Sequence, residues 1–384
     1  MNIKLLGSSL IIAGTALGAG MLAIPMVLAQ FGLMYGTALM LLICFGTTYA
    51  ALLLLEATIK VGDGLGLHSI ARQSLGKGGQ LLTNGLLYAL LICLLMAYIL
   101  GAADLVGKLF QSLGVTLTAT QSQILFTAVA GAVVACGTGV IDKLNRVLFF
   151  IMLASLVSTL LILLPFFSFE NVAQAGETDF VGLIKTSPIL FTSFGFLVVI
   201  PALVSYNQEA TDRQLRNMVI VGSMIPLVCY LCWLFAVVGN LDAAQLKQFS
   251  NVSDLMTVFQ QRSPWIGTIL SVFTGLALLT SFFGVAMALF TQNVDAFRQN
   301  KLVTYLLTFA LPLAGSLLAA EQFLTVLSYA GIILVFLAIF VPLAMVIRLR
   351  RAGEADARYR TEGGMPMLVF TLLFGVFLLV SQLI

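Results

Sequence analysis

The sequence predicts an all-α polytopic membrane protein, on three observations. Of its 384 residues, 60% are hydrophobic and only 9% charged, against about 25% charged in soluble domains. Its apolar stretches reach the roughly 20 residues that cross a bilayer, without period-two alternation. One Gly- and Pro-interrupted motif also occurs twice, in the first and sixth of those stretches. A soluble fold of this length has too little polar skin to cover such a composition. A bilayer lifts that demand, but each crossing must then satisfy its own backbone, as a helix or a closed barrel. Long unalternating runs select helices.

Eleven spans are expected, near 5–29, 33–57, 81–107, 121–140, 145–166, 188–206, 217–239, 266–290, 303–320, 323–347 and 366–384. The longest connections, near 60–80, 166–187 and 240–265, are modest and hold no inserted soluble domain. The first run follows Lys4 as a secretion signal would. It extends from Leu5 to about Ala29, longer than a signal core, and resembles a later segment, so it is read as a mature span. Cys44, Cys93, Cys136, Cys229 and Cys232 all fall inside apolar runs. Cys229 and Cys232 have metal-like spacing without His or carboxylate partners, so packing is expected and no transition-metal site.

Charge distribution orients the chain. The net charge of +3 says little as a total, and no nucleic-acid partner is expected. With a cytoplasmic N-terminus, fifteen of the 19 lysines and arginines fall inside: Lys4, Lys60, Arg72, Lys77, Lys143, Arg146, Arg213, Arg216, Arg298, Lys301, Arg348, Arg350, Arg351, Arg358 and Arg360. Outside remain Lys108, Lys185, Lys247 and Arg262. A missed or invented span would scramble this alternation, so the bias supports eleven spans and an external C-terminus.

The first span reads Gly14-Thr15-Ala16-Leu17-Gly18-Ala19-Gly20-Met21, then Ile24-Pro25; the sixth reads Thr192-Ser193-Phe194-Gly195-Phe196, then Ile200-Pro201. Both carry Thr, two residues, Gly and then Ile-Pro, and five spans put them in opposite directions. This is the pattern of an inverted repeat with two discontinuous helices. Gly disfavours a continuous helix and Pro is tolerated near the start of a helical half. Unwound main chain is costly in lipid and must face a cavity or a ligand. N–H groups after a break suit a carboxylate, and the carbonyls suit an ammonium group or small cation. A zwitterionic amino acid offers both partners. Gly14 with Gly18, and Gly32 with Gly36, also have the spacing that packs helices.

These residues, with others along the chain, resemble the bacterial aromatic amino acid permeases of the tyrosine permease type, in the amino acid/auxin permease group. The matching segments are Ala13-Gly14-Thr15 through Pro25, Leu54-Leu55-Glu56, Ala97-Tyr98-Ile99 with Gly101, Asn145 through Phe150, and Phe191 to Phe196. Further matches are Ser205-Tyr206, Gly222-Ser223 with Pro226, Thr280-Ser281-Phe282 with Gly284-Val285, Tyr329-Ala330-Gly331, and Gly363-Gly364 with Pro366. The resemblance implies the leucine-transporter fold: a first repeat over 1–166, a second over 188–347, and an appended span at 366–384. It implies a multi-pass protein of the bacterial inner membrane that imports tyrosine, or tryptophan or phenylalanine, by cation symport with alternating access; transport of another neutral amino acid is the alternative. The substrate carboxylate would meet the backbone at Gly18, Ala19, Gly20 and Met21, and the amine the carbonyls near Ala16 and Ser193 to Phe194. Tyr98 would line the pocket, with Ser281 beside it, while Phe194 and Phe196 would stack on an aromatic side chain.

Two positions depart from the family pattern. Relatives often carry Lys where this chain has Met152, and His where it has Leu197. The only His, His68, falls in an expected cytoplasmic loop. No titratable group is therefore evident in the core, and the coupling cation is left between sodium and proton. Sodium would be held by the hydroxyls of Thr280 and Ser281 and the carbonyls of Gly14, Leu17 and Ala277, since a hard cation prefers oxygen. The bland role of those hydroxyls is bonding back to their own helix.

Glu56 and Asp104 are expected close enough to an interface to be solvated. Asp142 with Arg146, and Asp212 with Arg216, are expected as surface pairs able to latch a gate. No catalytic residues are expected, because one His cannot build a metallopeptidase or a Ser–His dyad, and paired intramembrane acids are absent. A channel is disfavoured because it needs symmetric subunits or a filter of repeated polar residues. The oligomeric state is left open.

Overall fold

In a computed structural model the chain is helical throughout its regular structure. The structure describes residues 3–384 except 19, 63–64, 137, 174–175, 177–178, 247–248, 250–251, 263, 298–300, 320–321 and 353–358. Ala19, Lys247, Arg298 and Arg358 therefore lie outside the described residues, as does the side chain of Asp142.

Eight helical stretches among the described residues are long and apolar enough to cross a membrane, and three shorter apolar helices accompany them: Ile3–Ala16, Ala119–Ala135 and Leu302–Leu318. The chain begins with α1 (Ile3–Ala16) and α2 (Gly20–Leu28). A 3₁₀ turn and Gly32, at φ +75°, then redirect the chain into α3 (Gly32–Val61); a side chain there would be strained. The next elements are α4 (Leu67–Ser112), α5 (Ala119–Ala135) and α6 (Thr138–Leu163). In the second half come α7 (Ser187–Ser193) and α8 (Ile200–Tyr206), α9 (Asp212–Asn240), α10 (Pro264–Phe297) and α11 (Lys301–Leu318). The last are α12 (Phe323–Val335), α13 (Val341–Arg351) and α14 (Gly364–Leu383).

Local chemistry sets several boundaries. Thr118 with Gln121, and Thr211 with Gln214, form reciprocal capping boxes that start α5 and α9. Pro342 stands at the start of α13, directly after a π-helical turn at Phe336–Phe340. Its missing N–H removes one rung of the ladder, which favours that wider turn.

The expected loop at 60–80 is mostly helix. Residues from Leu67 form a first arm of α4, which bends at Gly76 (φ +81°) into the expected third span. Leu67, Ile70, Ala71 and Ser74 are the buried face of that arm, an amphipathic spacing that a search for long apolar runs passes over. Short helices likewise replace parts of the other expected loops: Phe169–Ala173, Phe180–Lys185 and Val252–Arg262.

The packing centres on the interrupted pairs. α1 lies against α9, α2 against α7, and α7 against α12. α10 packs on α4 and α6, bringing Ser281 and Thr280 to the same centre. All five cysteines are free thiols; Cys44 and Cys93 are buried, whereas Cys136 and Cys232 are exposed, so core packing explains only part of the set.

Candidate functional site

Both motifs break their helices, and they break differently. α1 ends at Ala16, and Leu17 and Gly18 form a turn. Gly18 N–H bonds to the Ala16 carbonyl at 2.7 Å, and Met21 N–H bonds to the Gly18 carbonyl at 3.1 Å as α2 begins. The break thus lies at the glycines, with Pro25 well inside α2. In the second motif Phe194, Gly195 and Phe196 leave the helix, a 3₁₀ turn spans Leu197–Val199, and Pro201 opens α8. There proline sits where its missing donor costs nothing.

The breaks touch. A β-carbon on Gly20 would stand 2.5 Å from the Ser193 β-carbon and 2.7 Å from the Tyr230 hydroxyl oxygen. The Tyr230 hydroxyl, from α9, lies 2.6 Å from the Ala16 carbonyl and 2.7 Å from the Ser193 carbonyl. A single buried oxygen therefore bridges the two interruptions. Tyr230 was not legible as a site residue. Its only signal was a phenol in a long apolar helix, whose hydroxyl needs a partner when buried.

The other expected residues gather around this point. A β-carbon on Gly18 would overlap the Ser281 hydroxyl, so α10 closes directly on the first break. Tyr98 is buried, with its hydroxyl on the side of Ser281. Leu17, Met21, Ser193, Phe194, Phe196 and Ala277 are all buried. Phe194 packs edge-on against Tyr230 at 5.2 Å between ring centres. A β-carbon on Gly14 would stand 3.1 Å from the ring of Phe149 on α6. The Thr280 hydroxyl bonds to the carbonyls of Leu276 (2.9 Å) and Ala277 (3.2 Å) on its own helix, and the sulfur of Met152 lies 4.0 Å from it. Leu197 is buried in the 3₁₀ turn.

One turn along α4 from Tyr98 a cavity of about 320 Å³ opens, lined among others by Leu100, Gly101, Asp104, Lys108, Ser122, Gln123 and Phe323. Asp104 is not freely solvated. Its carboxylate accepts from the Ser253 N–H (2.8 Å) and hydroxyl (2.9 Å), and Lys108 binds the Ser253 carbonyl and the Thr257 hydroxyl.

Glu56 overturns its expectation more sharply, for its side chain is fully buried. Arg350 grips it with two bonds, 2.9 and 2.6 Å, Lys60 lies 3.2 Å away, and the Thr361 N–H donates at 2.9 Å. The geometry is bidentate and the remaining lone pairs are used, as burial of a charge demands. Arg216 pairs not with Asp212 but with Glu362, at 2.8 Å. Thr361 and Glu362, both between α13 and α14, thus add one partner to each cluster.

The chain is similar to known transport proteins along its length. The chain matches the tryptophan/tyrosine permease family over residues 1–382. It is 58% identical, over the full length of both chains, to glutamine transporter 2 of Aliivibrio fischeri. It is 35% identical to tyrosine-specific transport system 1 of Haemophilus influenzae, with 97% of this chain and 95% of that one aligned. To a tryptophan-specific transport protein of Pseudomonas aeruginosa it is 32% identical, over 97% and 93%.

Proposed function

The chain belongs to the tryptophan/tyrosine permease family, and from that premise we propose that it is a secondary transporter of a neutral amino acid, glutamine first, by sodium symport. The observation that carries this reading is the meeting of two helix interruptions around one hydroxyl, with the Ala16 and Ser193 carbonyls turned to the same point. Main-chain dipoles freed from both helices suit the two ends of a zwitterion. The carboxylate meets Gly18, Ala19, Gly20 and Met21 at the start of α2, and the ammonium meets Ala16 and Ser193.

Glutamine is favoured by the 58% full-length identity to a glutamine transporter and by hydroxyl groups beside the breaks, Tyr98 and Ser281, which suit a carboxamide. Tyrosine or tryptophan is the second reading, supported by the relatives specific for them and by Phe194 and Phe196 in the second break.

Sodium is favoured by an oxygen set without carboxylate or imidazole: the carbonyls of Gly14, Leu17 and Ala277 and the hydroxyls of Thr280 and Ser281. Met152, where the family resemblance often implies lysine, has its sulfur 4.0 Å from the Thr280 hydroxyl. A lysine there would supply a tethered cation; methionine leaves the place to a diffusible one.

The architecture in this reading is an inverted repeat, 1–166 and 188–347, with 366–384 appended. α1 with α2, and α7 with α8, each make one crossing, and eleven result. The chain lies in the inner membrane with its N-terminus in the cytoplasm, following its cations. Thermal stabilisation of the purified protein tests substrate and ion together. Each of the neutral amino acids is added with and without sodium, at two pH values. Stabilisation by glutamine that requires sodium at fixed pH is expected. Stabilisation that follows pH and ignores sodium sinks sodium coupling, and no response to any amino acid sinks the transport reading.

A further inference from the structure

We propose that Tyr230 is a built-in stand-in for the substrate's ammonium group, holding the two break carbonyls while the site is empty and releasing them when an amino acid binds. The inference rests on the amino acid reading above and adds a role for a residue on α9.

The Tyr230 hydroxyl lies 2.6 Å from the Ala16 carbonyl and 2.7 Å from the Ser193 carbonyl. These are the acceptors to which the substrate amine is assigned. A phenol has one hydrogen and cannot satisfy both carbonyls at once. An ammonium group has three, and bonds from a charged donor are roughly twice as strong as neutral ones. A bound amine therefore replaces the hydroxyl with gain, while an analogue lacking the amine does not.

The position of the ring suits release. Tyr230 is fully buried, and its edge-on partner is Phe194, a residue of the second break itself. Its oxygen also stands 2.7 Å from where a β-carbon on Gly20 would be, against the opening turn of α2. The hydroxyl thus touches both halves of the binding point. Because the stand-in is neutral, the empty carrier keeps its breaks bridged without burying a charge.

The test compares wild type with Tyr230→Phe. Without the hydroxyl the empty site leaves the Ser193 carbonyl without its side-chain donor and the Ala16 carbonyl with the Gly18 N–H alone, a cost that substrate relieves. Labelled glutamine, with labelled tyrosine in parallel, is therefore expected to bind purified Tyr230→Phe about tenfold more tightly. In proteoliposomes the ratio of counterflow to net uptake is expected to rise, because only net uptake requires the empty carrier to return. A brace with no part in binding moves neither number in that direction.

A second measurement does not need the variant to fold. With 3-fluorotyrosine at position 230, the fluorine resonance is expected to shift with glutamine and not with its 2-hydroxy analogue. Weaker or unchanged binding in Tyr230→Phe, or a fluorine signal indifferent to amino acids that the wild type binds, overturns the inference alone. A wild type that binds no amino acid removes the transport reading and this inference with it.

Discussion

The helix breaks and the Glu56 cluster solve opposite problems with opposite chemistry. Around the breaks the side chains that meet are neutral: Tyr230, Tyr98, Ser281, Ser193 and Phe194. Around Glu56, three charged side chains are nearly withdrawn from solvent, with 0% exposure for Glu56, 3% for Lys60 and 10% for Arg350. A buried charge is tolerable only with permanent partners. The cluster has them, because Arg350 and Thr361 belong to the same chain and stay. A site whose ligand comes and goes cannot depend on a fixed countercharge without being costly when empty. In the proposed reading main-chain dipoles and hydroxyls meet that need, since they could take a zwitterion without leaving an unpaired ion behind.

The comparison makes separable predictions. Glu56→Gln leaves Arg350 and Lys60 buried without their carboxylate, so the largest effect falls on stability. A loss of about 3–5 kcal/mol is expected from removing one partner of a buried pair, read as lower yield of folded protein and a lower melting temperature in detergent. Near-normal melting would show that the two regions do not differ as described.

Gly18→Ala strikes the other region. Its new β-carbon meets the Ser281 hydroxyl, so the break and α10 must part. Displacement by about 1 Å can cost on the order of a hundredfold in rate. Uptake is expected to fall by that much with little change in melting temperature, and Gly18→Ala with Ser281→Gly should recover much of it. Failure of the double variant to recover any uptake would argue that Gly18 serves its backbone conformation and not this contact.

Smaller effects sharpen the contrast. Ser281→Ala removes one oxygen from the proposed cation shell, so half-maximal uptake should need about tenfold more sodium, the equivalent of one lost hydrogen-bonding group. Smallest of all, Glu362→Gln breaks an exposed pair with Arg216. Such pairs contribute about 0–1 kcal/mol, so melting and uptake should stay within error of wild type. A large fall in uptake would give that pair the gating role first expected of Asp212.

What the sequence revealed follows the same division. The breaks were visible because Gly and Pro act through the backbone, and their effect is local: Leu17–Gly18 and Phe194–Phe196 unwind where the motifs stand. Even so, the two Ile-Pro pairs were not equivalent, since Pro201 opens a helix and Pro25 lies inside one. The cluster was hidden because Glu56 and Arg350 are 294 residues apart, and only the folded chain brings them together. Glu56 was read as solvated from its place near a helix end, which says nothing of a later segment folding over it. Tyr230 was hidden for a related reason: its partners are carbonyls on two other helices, and no residue type in the sequence marks a freed carbonyl.

The most direct measurement is counterflow of labelled glutamine into proteoliposomes preloaded with unlabelled glutamine, for wild type and Gly18→Ala. Saturable entry, accelerated by internal glutamine, dependent on sodium and lost in Gly18→Ala, is the expected result. Entry indifferent to internal glutamine, or equally fast in Gly18→Ala, would contradict a carrier that binds its substrate between the two breaks.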